Sequence, residues 1–432
     1  MVAADYRALA SLFCRAIAFV ASVPRTHGGL MRLVFVNRTH PGEPHVSGMR
    51  IGRFAREMSQ RGHEVAVLTS TLSTEPAGTG GASLAERLAT HDWTSPLVVP
   101  AESGRAHPRD GSGGLPGPIR RGVTMWRLAV QGGAFVEWQR EAWKPSELLA
   151  RQFRPDCVWA TFGNTSNWIV AQRLAARAGC PWVADIKDNW ELFIPPPLRR
   201  WMAWRFRDAA GHTCNSEHHQ IAARASIAFR HVQVIYSGVA DEFFEHPAPT
   251  KPARHRLLLV GSTYRHPWLE RYLAALRAWL ARLDDVDRRS IEFLYAGSDG
   301  ERVARALGDI PLGCATRVEA QLPIHQLAEL TRDAFANSYI WLAETFHHKL
   351  MELLIAGRPV IAYPGENSES RRLAAGTPTQ FAACADERDL AAALDAAWER
   401  RGNPAAASTG VHWRWSDFAA ELEAFLARAA RR

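Results

Sequence analysis

Short, continuous apolar runs recur along the chain, separated by stretches whose apolar positions fall three and four apart. Leu33–Val36, Glu64–Thr69, Cys157–Thr161, Pro181–Asp185, Arg256–Val260, Ile291–Ala296, Ser338–Ala343 and Val360–Tyr363 predict buried strands. Gly48–Arg61, Trp168–Ala178, Lys349–Ala356 and a final amphipathic stretch from Trp413 to Ala430 predict helices, and Gly62 and Gly357 stand where two of them stop. Strand, Pro/Gly loop, helix, strand is the order of a Rossmann-like α/β half. That rhythm breaks at His246-Pro-Ala-Pro-Thr-Lys-Pro252 and then restarts. The expected organisation is therefore an extension over 1–30, a first α/β domain over 31–248, a second over 249–410, and a closing helix over 411–432. The first βα turn has no G-x-G-x-x-G, which weighs against a dinucleotide oxidoreductase.

Three stretches fit this rhythm less well. Tyr6–Val23 is apolar but interrupted by Arg7 and Arg15, and reads as a mobile or loosely packed extension, with a membrane-touching helix as the second reading. Residues 71–120 are rich in Gly, Ser, Thr and Pro and read as a long mobile insertion. Trp126, Trp138 and Trp143 follow at helical spacing and read as packed core. Pro195–Arg207 interleaves basic and aromatic residues. It suits a membrane surface or a lipid-linked acceptor, and equally a surface helix with one apolar stripe.

Composition sets bounds. A chain of 432 residues is comfortable as two domains, and 47% hydrophobic with 22% charged residues is ordinary for a globular protein. The net charge of +8 and a pI near 9.5 imply an anionic partner. No nucleic-acid module accompanies the basic residues. Six scattered cysteines show no metal-ligand spacing and suit a reducing cytoplasm. No apolar run approaches the roughly 20 residues needed to span a bilayer.

The chemistry concentrates in Glu344-Thr-Phe-His-His-Lys-Leu-Met-Glu352. Glu344, His347 and His348 lie in the loop at a strand's carboxyl end, where open α/β sheets bind ligands, and Glu352 lies on the following helix. Two carboxylates at one crevice suit a polyhydroxyl ligand, since each accepts hydrogen bonds from neighbouring hydroxyls. Ser47-Gly48-Met49-Arg50 opens the first helix, where backbone amides suit a phosphate or an acceptor oxygen.

This spacing resembles the E-x7-E motif of retaining family 4 glycosyltransferases of the GT-B fold, with Lys349, Glu352, Gly357 and Pro359 also in register. The resemblance covers about 31–430, most clearly 31–70, 154–242 and 338–364. It implies two Rossmann-like domains facing across a cleft, with the last helix crossing back onto the first. It also implies sugar transfer from a nucleotide-sugar to a hydroxyl, with retention and without a metal or cofactor. Carried over by position, Glu344 contacts the donor sugar and Glu352 the ribose, with His348 and Lys349 beside them. Gly261, Ser262 and Arg265 meet the diphosphate, Gly297 belongs to a glycine turn, and Val318 to the nucleobase loop. Lys187 stands near a position where many members carry His, and Asp188 suits an acceptor hydroxyl or a turn cap. The expected partners are a nucleotide-sugar and a sugar, lipid-linked or small-molecule acceptor, not nucleic acid. The expected place is the cytoplasm, with a peripheral contact on the inner membrane face left open. A nucleotide-sugar epimerase and a non-catalytic binding protein on the same scaffold remain as alternatives.

Overall fold

The computed structural model describes residues 29–43, 45–72, 83–101, 117–245, 254–263, 266–342, 345–406 and 408–431. Met31–Arg432 forms one compact unit. The reading of 1–30 falls almost wholly outside the described residues, as do the expected linker, Arg265 and Glu344.

Two wholly parallel sheets make up the molecule. The first holds β1 (Arg32–Val36), β2 (Glu64–Ser70), β3 (Leu97–Ala101), β4 (Cys157–Thr161), β5 (Trp182–Ile186), β6 (Gly211–Cys214) and β7 (Val232–Val234), in the order β3-β2-β1-β4-β5-β6-β7. The second holds β8 (His255–Val260), β9 (Ile291–Ala296), β10 (Ala315–Glu319), β11 (Ala334–Ile340), β12 (Val360–Tyr363) and β13 (Phe381–Ala383), in the order β10-β9-β8-β11-β12-β13. Both orders reverse direction beside the first strand of the lobe, and ligands of such sheets bind outside the carboxyl ends at that switch point.

The apolar runs are continuous because both faces of each sheet are covered. Side chains alternate across a strand. Leu33 and Phe35 of β1 therefore join one core, and Val34 and Val36 join another. In the second lobe Leu258 and Val260 share the first of these cores, while Leu257 and Leu259 enter a third. The shared core also takes Trp415, Phe418, Leu422, Phe425 and Leu426 from the helix Trp415–Ala430. That helix packs on the first lobe, with Trp415 edge-on to Phe54 at 5.2 Å. The crossing-back expected of the last helix is thus present. Fully burying a Leu or Phe of this kind contributes about 1.5–3 kcal/mol.

Two expectations need correcting. Residues 71–120 are not simply an insertion: Leu84–Thr90 is a helix capped by Ser83 and Glu86, and β3 pairs with β2 along Ala66–Ser70. The Gly/Ser/Pro bias of the flanking stretches hides these short elements. Of the three tryptophans read as core, only Trp138 is buried, whereas Trp126 is 55% and Trp143 39% exposed. A spacing pattern identifies a face without saying what covers it.

Candidate active site

The carboxyl edge of the first sheet is organised around Arg50, on the helix Val46–Gln60. Its side chain is fully buried, and each of its five N–H donors has an acceptor. Nε and Nη2 grip the Asp185 carboxylate at 3.0 and 2.9 Å. Nη1 donates to Asn215 Oδ1 and Ser237 Oγ, and Nη2 also donates to the Ile235 carbonyl, all at 3.0 Å. Thr213 Oγ1 donates to Asp185 from β6, and Trp159 Nε1 donates to Thr213. Arg50 was expected to face a phosphate or an acceptor. It instead ties the ends of β5, β6 and β7 to the first helix, and no donor remains for a ligand.

Ser47 is likewise buried, its Oγ and carbonyl both accepting from Asn37 Nδ2. Gly48 is required by close approach, since a Cβ there would stand 2.3 Å from the His40 carbonyl oxygen. The loop after β1 therefore lies directly on the start of the helix. Across from it, a Cβ on Gly163 would meet Ser47 Oγ at 3.6 Å and Asp188 Oδ2 at 3.7 Å. Ser47, Gly163 and Asp188 thus converge.

Lys187 and Asp188 pair with each other, Nζ to Oδ1 at 2.6 Å. Their loop is held at one end by β5 and at the other by Trp190, which stacks on Trp168 at 5.6 Å. Two histidines lie within electrostatic reach of this pair. Burial, then the Lys187 charge, lowers the pKa of His45, against Asp188 and Glu43. Burial, then His218, lowers that of His219 to about 3.

On the second lobe, the segment after β11 carries Thr345–His348 into the helix Lys349–Ile355. His347 stacks on Trp341, ring centroids 4.1 Å apart. His348 is hydrogen-bonded to the backbone of Gly238, which belongs to the first lobe. Burial, opposed by Glu352, lowers its pKa to about 4. The Nδ1 atoms of both histidines are buried without a hydrogen-bond partner. Glu352 is buried and paired with Lys349.

At the expected phosphate end, the loops after β8 and β9 are tied together. Ser262 and Ser298 share a 2.9 Å hydroxyl contact, and Asp299 accepts from the Thr263 amide at 2.7 Å and from its hydroxyl at 3.0 Å. Gly297 must lack a side chain, because a Cβ would come within 2.4 Å of the Gly261 carbonyl oxygen. Gly261 itself has φ +89°. Arg302 reaches this cluster, 3.4 Å from Thr263 Oγ1, and sequence reasoning missed it because it lies on the next helix. Val318, expected in a loop, stands instead within the edge strand β10, where a Cβ on Gly300 would be 3.4 Å from its Cγ1. Among the described residues no cluster could hold a metal ion.

Glu369 was also missed. Buried on the helix Ser368–Ala375, it accepts from the amides of Glu217 and His218 at 2.7 and 2.9 Å and from Tyr236 Oη at 2.6 Å. All three donors belong to the first lobe. Nothing local in the sequence marks this acid.

Two parallel α/β lobes meeting at their carboxyl edges, with the last helix returned to the first, define the GT-B class. Solved structures agree on the fold. HepE from Anabaena, described in complex with UDP and glucose, is similar with a TM-score of 0.55 at 15% identity, over 92% of this chain and 95% of that one. Sucrose-phosphate synthase from Thermosynechococcus elongatus scores 0.61 at 13% identity, over 92% and 98%. A putative UDP-N-acetylglucosamine 2-epimerase from Listeria monocytogenes scores 0.53 at 12% identity, over 91% and 94%. No curated protein matches the sequence. Residues 47–238 match the model of the glycosyl transferase 4-like domain. The chain accordingly has the GT-B fold, and part of its first lobe is similar to the glycosyl transferase 4-like domain.

Proposed function

We propose that this protein transfers a sugar from a nucleotide-sugar to a hydroxyl acceptor, with retention and without a metal or cofactor, in glycan, polysaccharide or glycolipid synthesis. Residues 249–410 form the donor domain, 31–248 the acceptor domain and 411–432 the crossover helix. The observation that carries this reading is the crossing point between the lobes. His348, at the start of the helix bearing Glu352, bonds to Gly238, and both His348 and His219 lie in the field of Arg50. The Lys187–Asp188 pair lies in the same field as His219.

In this reaction Glu344 orients the sugar and Glu352 the ribose, while the Gly261 amide, Ser262 and Arg265 neutralise the departing diphosphate. Gly297 and Val318 border the nucleotide, and His348 and Lys349 the sugar. Lys187 stabilises charge on the leaving group, and Asp188 and the first turn of the helix at Ser47 and Gly48 meet the acceptor. The enzyme works in the cytoplasm with a peripheral contact on the inner membrane face.

The test is transfer from a panel of nucleotide-sugars by wild type, Glu344→Ala and Lys187→Ala, with the product anomer read by NMR. Glu344→Ala should abolish transfer without unfolding the protein. Lys187→Ala should lower it by about 10²–10³, the scale of losing one charge-stabilising group. Near-normal turnover by Glu344→Ala refutes the assignment.

The epimerase-like neighbour supports a second reading, isomerisation of the donor alone. An isomerised sugar appearing without acceptor favours it. Absence of any nucleotide-sugar binding by calorimetry favours a non-catalytic role.

A further inference from the structure

A concavity lies away from the crossing point. It measures about 460 Å³ and is lined by Gln172, Arg205, Arg207, Asp208 and Arg230. Asp208 and Arg230 lie just before β6 and β7, whereas Lys187, Asp188 and Asn215 follow the ends of β5 and β6. The concavity therefore opens at the amino edge of the first sheet, opposite the candidate active site, and a ligand held there cannot be the reacting acceptor.

Its charge is lopsided. Arg205, Arg207 and Arg230 line it, and Arg173 acts on Arg205 from beside it. The one lining carboxylate, Asp208, already accepts a 2.7 Å hydrogen bond from Gln172. Arg205 Nε is buried without a partner. Buried donors are normally satisfied, and a guanidinium suits phosphate oxygens. Aromatic and aliphatic side chains flank the cations. Trp204 is 59% exposed and carries the Arg207 guanidinium over its ring at 4.1 Å. Arg205 also lies against Gly132, where a Cβ would be 3.3 Å from its guanidinium carbon, and exposed Trp126 and Val130 precede that glycine. Exposed tryptophan beside arginine is the composition of an interfacial membrane contact. No described helix is long and apolar enough to cross a bilayer.

We propose that this amino-edge face docks the protein on an anionic phospholipid bilayer, with a headgroup phosphate in the arginine-lined concavity and Trp204 in the interface. This rests on the peripheral contact proposed above but not on the transfer reaction. It replaces the apolar stripe of Pro195–Arg207 with a defined phosphate site, at the opposite edge of the sheet from the active site.

The full chain is sedimented with phosphatidylcholine vesicles, with and without phosphatidylglycerol, at rising salt. Binding should require phosphatidylglycerol and weaken with salt. R207E/R230E should reduce it by at least about tenfold, each arginine near an anionic surface being worth on the order of fivefold. Both residues are surface positions, so far-ultraviolet circular dichroism and melting should be unchanged. R207Q/R230Q provides a milder removal of charge, and W204A should weaken binding while leaving its salt dependence intact. Equal binding to both vesicle types, or binding unaffected by either double variant, overturns the proposal. So does calorimetric binding of inorganic phosphate, lost in R207Q/R230Q, without any vesicle binding, which makes the concavity a site for a free anion. Because the readout is sedimentation, the docking proposal and the transfer reaction fail independently.

Discussion

Tyr236 Oη donates to Glu369 Oε1 across 2.6 Å, from the first lobe to the second. The same carboxylate accepts two amides that open the helix Glu217–Arg224, where a negative charge is favoured by the helix dipole. Burial, then this bond, pushes the Tyr236 hydroxyl above its ordinary pKa, so it stays a donor. Three bonds to one carboxylate make Glu369 a latch between the lobes.

Glu369→Ala should therefore loosen the contact between the lobes. Hydrogen bonds to a charged group are worth about 1.5–3 kcal/mol each when broken singly. The expected outcome is a lower melting temperature and a raised KM for the nucleotide-sugar, with Tyr236→Phe giving a smaller change in the same direction. An unchanged melting temperature and KM would dismiss the latch.

Arg50 and Asp185 form a buried pair within the first lobe. Breaking such a pair from one side costs about 3–5 kcal/mol, because the remaining charge is left uncompensated. Asp185→Ala should fall in that range by urea unfolding. Arg50→Lys should also destabilise, since an ammonium cannot reproduce the forked contacts. Replacing both by apolar residues should recover part of the loss, and a double variant as unstable as the sum of the singles would argue against this account.

Stability should fall as the solution is acidified. His212 and His219 are buried neutral, their pKa values lowered by burial to about 4 and about 3. An unfolded histidine takes up its proton near 6.5, and these two do so only at lower pH when folded. Their contribution is therefore complete above about pH 6.5 and is lost progressively below it, down to the folded values. Each costs about 1.4 kcal/mol per pH unit within that window. His212→Phe should flatten the slope of unfolding free energy against pH by about one proton. An identical slope in the variant contradicts the assignment.

Gly297→Ala tests the donor loops without touching any charged group. The added methyl would collide with the backbone at Gly261, at 2.4 Å from its carbonyl oxygen, and with the Tyr295 hydroxyl at 2.5 Å. Overpacking of this kind costs about 1–3 kcal/mol. Nucleotide-sugar affinity measured by calorimetry should drop, while Gly308→Ala, which meets nothing within 4 Å, should leave it unchanged.

Much of this was legible without coordinates. The continuous apolar runs marked most of the parallel strands, because a strand buried on both faces needs apolar residues at every position. Glycines marked two helix ends, Gly62 and Gly357, whereas the side-chain caps Asn164 and Ser216 emerged only in the structure. The short elements at 84–101 were lost in a Gly/Ser/Pro-rich background, since composition averages over a window longer than the elements themselves.

The alternation of most strands with helices and the two-lobed α/β class were legible in the sequence alone, since propensity and periodicity act between neighbours. Only the tertiary structure decided that Arg50 is consumed by a carboxylate 135 positions away, that Glu369 joins the lobes, and that four arginines gather at the amino edge of one sheet. The physical reason is common to all three. A charged side chain looks the same in the sequence whether it is solvated, paired or poised for a ligand, and only its packed surroundings determine which.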